Sequence, residues 1–107
     1  LDLMSRGAAL VADDRVALGA QDGTLIARCP QTLVGRIEAR GVGILNAAPA
    51  GPTAVALVVD LGQAETDRLP PLRTITLCGV RLPLVLGPLH PHLGAALRQM
   101  LLCGRSD

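Results

Sequence analysis

TAVALVVDL, residues 53–61, runs without charge until Asp60 and is rich in β-branched and aliphatic side chains. No polar residue alternates through it, so it predicts a central strand buried on both faces. On its N-terminal side APAGP, residues 48–52, is a loop by composition. On its C-terminal side GQAETDRLPPL, residues 62–72, is polar and proline-bearing and predicts an exposed connection. RTITLCG and VRLPLVL then supply two more strands, with Pro83 favouring an edge position because it cannot donate to a ladder.

The flanking stretches complete the pattern. At the C-terminus HLGAALRQMLLCG places Leu93, Ala96, Leu97, Met100 and Leu101 on one helical face, and Gly104 serves as the stop. Upstream, AALVADD and RVALGA predict a strand, a turn and a second strand, and QDGT at 21–24 predicts a tight hairpin turn from which TLIARC returns antiparallel. Gly35, Gly41 and Gly43 interrupt residues 30–46, which predict a short helix or strand around a functional loop. The opening LDLMSRGAA reads as the last turns of a helix ended at Gly7. Since a domain rarely starts inside a helix, the natural gene product is expected to extend upstream. Strands with flanking helices make an α/β domain with a mixed sheet, taken as one domain over 1–107.

Composition removes several functions. There is no Phe, Tyr or Trp, so the core is aliphatic and there are no stacking platforms for single-stranded nucleic acid. A net charge of +1 gives little attraction to phosphate polymers, and no nucleic-acid partner is expected. All ten basic residues are Arg, which excludes a Schiff-base or phosphate-gripping lysine from these residues. Cys29, Cys78 and Cys103 fit neither a disulfide framework nor a metal-ligand spacing and are expected to be buried, reduced thiols of a cytoplasmic protein. No apolar run is long enough to span a membrane.

Few residues remain that can do chemistry. Asp13 and Asp14 are adjacent at the end of an apolar run. Neighbours on a strand point to opposite faces, so both can address one metal only if the chain bends there. One would then act as general base and the other in a metal–water shell; the alternative is a turn whose acids cap the next element. Glu38, in RIEARGVGIL, stands between Arg36 and Arg40. It reads either as an exposed ion pair or as a Mg²⁺ ligand, with Arg40 and the glycines shaping a loop at phosphates. Arg68, in TDRLPP, offers a fork to phosphate or is simply solvated. His90 and His92 lack a third ligand at a matching offset and are set aside as metal ligands. Ser5 and Ser106, near the chain ends, make no persuasive catalytic triad.

Taken in order, LVADDRVAL, LVGRIEARGVGIL and DRLP resemble the HPr kinase/phosphorylase family, strongly from about Gly7 to Leu69 and thinly beyond. The second segment is similar to the family signature E-x-R-G-x-G-I, which fixes Glu38, Arg40, Gly41, Gly43 and Ile44 together. The resemblance implies a P-loop core related to phosphoenolpyruvate carboxykinase, truncated at its N-terminus. It implies transfer of the γ-phosphoryl of ATP to a serine of the phosphocarrier HPr, with phosphorolysis as the reverse reaction in many members.

The implied roles are Asp14, or its neighbour Asp13, as base; Glu38, with Asp13, as Mg²⁺ ligand; Arg68 as phosphate contact; and Arg40 with its glycines as a loop around the reacting groups. The implied partners are ATP, Mg²⁺, HPr and further copies of the chain, a hexamer in the family. The sequence departs from the family in two places. The glycine-rich phosphate loop with its Lys and Ser or Thr is not among these residues and is expected just before Leu1. GPLHPHLG stands where members with strong reverse activity carry a basic glycine-containing segment. An alternative is a non-catalytic module that binds HPr or oligomerises without a nucleotide loop.

Overall fold

A computed structural model describes all residues, Leu1–Asp107, as two compact units, Leu1–Val55 and Ala56–Asp107. The chain is a mixed α/β structure of small sheets with helices.

The first unit opens with a short helix, α1 (Asp2–Ser5), after which the chain makes a single parallel bridge, Leu10 to Pro49, rather than the strand expected from AALVADD. Ala50 N–H donates to the Leu10 carbonyl at 2.8 Å, which ties this segment to the loop before residue 53. Beyond a bend at residues 13 and 14, β1 (Ala17–Gln21) and β2 (Thr24–Arg28) form the expected hairpin. Both central residues, Asp22 and Gly23, have positive φ, the conformation whose twist matches that of paired strands. A 3₁₀ turn (Gln31–Leu33) leads to a second hairpin, β3 (Arg36–Ala39) and β4 (Gly43–Asn46), and β5 (Thr53–Ala54) pairs with β2. Leu10, Leu25, Ile37 and Ala39 are the buried side chains of this unit, and Leu25 is 1% exposed.

The TAVALVVDL stretch does not form one central strand. Its first residues are β5, and the rest begin β6 (Val58–Ala64) of the second unit. In that unit the sheet order is β6-β8-β7, where β7 is Arg73–Leu77 and β8 is Val80–Gly87, so β6 lies at an edge and β8 is central. Pro83 therefore occupies the central strand, against expectation. The reason is the hairpin register. Leu77 and Val80 close a two-residue turn as a hydrogen-bonded pair, so Thr74 and Pro83, three pairs further on, are not hydrogen-bonded to each other. The Pro83 nitrogen faces away from β7, and the parallel ladder with β6 starts only at Leu84. No ladder bond is lost there.

The connection expected at residues 62–72 begins with structure: β6 continues through an irregularity between Asp60 and Ala64. Asp60 holds it, its Oδ1 accepting the Gly62 N–H at 2.9 Å and its Oδ2 accepting from Gln63 Nε2 at 2.7 Å. Gly87 is required opposite this bulge, since a Cβ there would lie 2.8 Å from the Leu61 Cα and carbonyl oxygen.

Helix α2 (Leu93–Cys103) ends at Gly104 as expected, with the Gly104 N–H donating to the Met100 carbonyl. Its buried residues are Leu93 and Leu97, while Ala96 and Leu101 of the expected apolar face are exposed. The cysteines also differ from expectation: Cys29 is half-buried, but Cys78 and Cys103 are exposed. Cys78 is placed by the β7–β8 turn, where its φ is +50°, and not by burial. No helix is long and apolar enough to cross a membrane.

The strongest electrostatic contact of the second unit is a two-pronged pair. Arg73 Nε and Nη2 donate to Glu65 Oε1 and Oε2 at 2.7 and 2.9 Å. The guanidinium lowers the Glu65 carboxyl from 4.5 to about 2, helped by the Asp67 and Thr66 N–H groups and opposed by desolvation. A carboxylate with a depressed folded value stabilises the fold fully above its unfolded value and ceases to do so as pH falls through the folded one. The contribution of the pair is thus complete above 4.5 and is lost between 4.5 and about 2. Thermal midpoints of the natural chain and of Glu65→Gln are expected to differ at neutral pH and to converge across that window; a gap unchanged at pH 2 contradicts the assignment.

Candidate functional site

The bend at Asp13 and Asp14 replaces the alternation of a strand, so both side chains line one hollow of the first unit. The hollow measures about 300 Å³ and is walled by Asp13, Asp14, Leu33, Arg36, Glu38 and Ile44. β3 supplies two of these at i and i+2: Arg36 and Glu38 point outward while Ile37 and Ala39 point to the core. β4 supplies Ile44, which pairs directly with Glu38 across the hairpin.

One hydrogen bond locks the arrangement. β3 has a strand on one side only, and at its open edge the Glu38 N–H donates to Asp13 Oδ2 at 2.7 Å. A carboxylate accepting a backbone N–H makes a short, charge-assisted bond, so Asp13 fixes the bend against the strand that carries Glu38. The side chains of Asp14 and Glu38 make no hydrogen bond or ion pair. Glu38 is therefore not the exposed ion pair that its arginine neighbours suggested; neither Arg36 nor Arg40 reaches it. Asp14 is not a capping acid.

The glycines of RIEARGVGIL have a local cause. The Val42 N–H donates to the Ala39 carbonyl at 2.9 Å, which makes residues 39–42 a tight turn with Gly41 at its third position. The φ of +84° at Gly41 is the one that a turn of this kind demands there. Arg40 sits exposed at this turn and does not line the hollow. Arg68 belongs to the second unit, exposed in a bend of the β6–β7 connection. The structure thus brings together Asp13, Asp14, Glu38 and Ile44 of the expected residues. Arg36 and Leu33 join them unannounced. The i, i+2 spacing of Arg36 and Glu38 on a strand was the signal that places Arg36 on the same face.

The donor set is all carboxylate oxygen, which suits a hard divalent cation. No three Asp, Glu, His or Cys side chains converge closely enough to enclose a metal.

A small mixed α/β fold with an acidic hollow beside a glycine-shaped hairpin is compatible with a phosphotransferase, and the comparisons identify the family. The HPr Serine kinase C-terminal domain family matches residues 1–69, and the chain belongs to that family. An HPr kinase/phosphorylase of Clostridium botulinum is 44% identical over 46 residues, which are 43% of this chain and 15% of that protein. One of Verminephrobacter eiseniae is 42% identical over 83 residues, 65% of this chain and 26% of that protein. The matched region is thus a minor part of these relatives. The solved structure of the HPr(Ser) kinase/phosphatase from Coxiella burnetii superposes with a TM-score of 0.77 at 28% identity, covering 94% of this chain and 74% of that one.

Proposed function

We propose that the protein containing this chain is an ATP-dependent kinase that phosphorylates a serine of HPr. The observation that carries this reading is the pair of uncommitted carboxylates, Asp14 and Glu38, facing one hollow in a chain of the HPr serine kinase family. Phosphoryl transfer asks little covalent chemistry of a protein; it asks for positioning and for neutralisation of charge.

Asp14, unengaged and exposed, takes the proton of the serine hydroxyl as the hydroxyl oxygen bonds to the γ-phosphorus and the bond to the β-phosphate oxygen breaks. Glu38, with the remaining oxygen of Asp13, holds Mg²⁺, which when bound neutralises charge on the phosphate oxygens. Arg68 contacts phosphate, and Arg40 with Gly41 and Gly43 forms the neighbouring loop. In phosphorolysis an oxygen of inorganic phosphate bonds to the phosphoserine phosphorus as the bond to the serine oxygen breaks, protonated Asp14 gives its proton to that serine oxygen, and pyrophosphate is the product. The reading also requires a glycine-rich nucleotide cradle with its lysine, a P-loop related to that of phosphoenolpyruvate carboxykinase, supplied by polypeptide outside these residues. A homo-oligomer, a hexamer by the family resemblance, is part of the same proposal, and one domain spans residues 1–107.

The test uses the complete natural gene product with HPr, Mg²⁺ and radiolabelled ATP. Label is expected on a serine of HPr and is expected to vanish on chelation. Binding of HPr without any binding of ATP instead selects the non-catalytic module. Glu38→Gln is expected to raise the half-saturating Mg²⁺ concentration by roughly tenfold or more, since even residues that merely orient metal ligands cost about 10–100-fold. A Mg²⁺ titration that coincides with that of the natural protein removes Glu38 from the metal site.

A further inference from the structure

Arg36 is the single cation lining the hollow, among three carboxylates, yet it forms no ion pair with any of them. Arg6, Arg73 and Arg105 form ion pairs elsewhere in the chain. Asp13 is committed to the Glu38 N–H, and Glu38 lies two residues along the same strand face without engaging the guanidinium. The fork of Arg36 is therefore uncommitted at the wall of a site that otherwise carries only negative charge.

That charge pattern has a consequence for any phosphorylated substrate. Three carboxylates repel a phosphoryl group, and a divalent cation on Glu38 and Asp13 removes only part of the repulsion. A guanidinium offers two parallel N–H donors matched to two phosphate oxygens, which an ammonium does not. Leu33 and Ile44 are the apolar side chains that line the hollow beside Arg36.

We propose that Arg36 is the phosphoryl-contacting residue of this hollow, donating its fork to the tetrahedral phosphate group that is transferred. The inference rests on the kinase reading above and adds a residue that the signature motif does not contain. Two sources carry that group, the terminal phosphate of ATP and the phosphoserine of HPr.

Calorimetric binding to the complete protein with Mg²⁺ separates them, using Arg36→Gln and Arg36→Lys. If the contact is to the nucleotide, Arg36→Gln weakens ATP on the order of tenfold or more and leaves ADP unchanged, with Arg36→Lys between. If it is to the protein substrate, phosphorylated HPr weakens by that factor and unphosphorylated HPr does not. Either result supports the role. Unchanged affinity for both phosphorylated ligands overturns it, and so does equal weakening of ATP, ADP and both forms of HPr, which marks a general disturbance. Arg36 is exposed and unpaired, so its replacement is expected to leave the thermal midpoint in place. Transfer of label from ATP to HPr by the natural protein, run in parallel, distinguishes the levels of failure. Absence of any such transfer sinks the kinase reading itself, whereas transfer with unaltered Arg36→Gln binding sinks only the role of Arg36.

Discussion

Asp14→Asn is expected to lower the rate of phosphoryl transfer to HPr by on the order of 10²- to 10⁴-fold while ATP and HPr bind as before. The substitution keeps shape and volume and removes the one property that a general base needs. Asp14 makes no structural bond that the amide would have to replace, so the loss belongs in kcat. Asp13→Asn serves as the contrast. There the carboxylate accepts the Glu38 N–H at 2.7 Å, and an amide oxygen accepts the same bond less strongly. Its cost is expected to be divided between a looser bend, seen as a lower thermal midpoint, and weaker Mg²⁺ dependence. Should Asp13→Asn abolish transfer at an unchanged midpoint while Asp14→Asn remains active, the base is Asp13 and the two roles exchange.

The distinction between these neighbours was only partly legible in the sequence. Alternation on a strand forbids both acids from facing one site, so the sequence stated the condition, a bend, without deciding whether it is met. Backbone conformation decided it, through the Asp13 to Glu38 contact between residues 25 apart in the chain. Local signals fared best where a turn dictates its own residues, as in QDGT, whereas the β3–β4 hairpin within residues 30–46 was read only as a short helix or strand around a loop. They failed where pairing is non-local. TAVALVVDL has the composition of a central strand, yet its two parts pair with different sheets, β5 with β2 and β6 with β8. Pro83 points the same way: its tolerance in β8 depends on which side the missing N–H faces and on where β6 begins, neither of which is written near Pro83. Exposure of Ala96 and Leu101 on α2 shows a helix whose apolar face is wider than the surface it covers within this chain.

Leu25→Ala is the substitution expected to cost the fold most, about 2–5 kcal/mol. Leu25 is the one large side chain below 2% exposure, and the first unit buries only Leu10, Ile37 and Ala39 beside it. With no aromatic residue in the chain, the core around Leu25 is aliphatic, and truncation removes part of its few buried side chains. Small domains have on the order of 5–15 kcal/mol of stability in total, so this loss is a large fraction. Leu25 also lies in β2 between β1 and β5, and its carbonyl accepts the Val55 N–H at 2.8 Å, so loosening there reaches both hairpin and loop. Ile44→Ala is the control: Ile44 is 72% exposed on the rim of the hollow, and its truncation is expected to shift stability by no more than about 0.5 kcal/mol. Circular dichroism must follow the unfolding, because the chain has no Trp or Tyr to fluoresce. If Leu25→Ala and Ile44→Ala unfold at the same denaturant concentration, the aliphatic cluster around Leu25 is not what holds the first unit together, and the bend at Asp13 and Asp14 must be held by its hydrogen bonds alone.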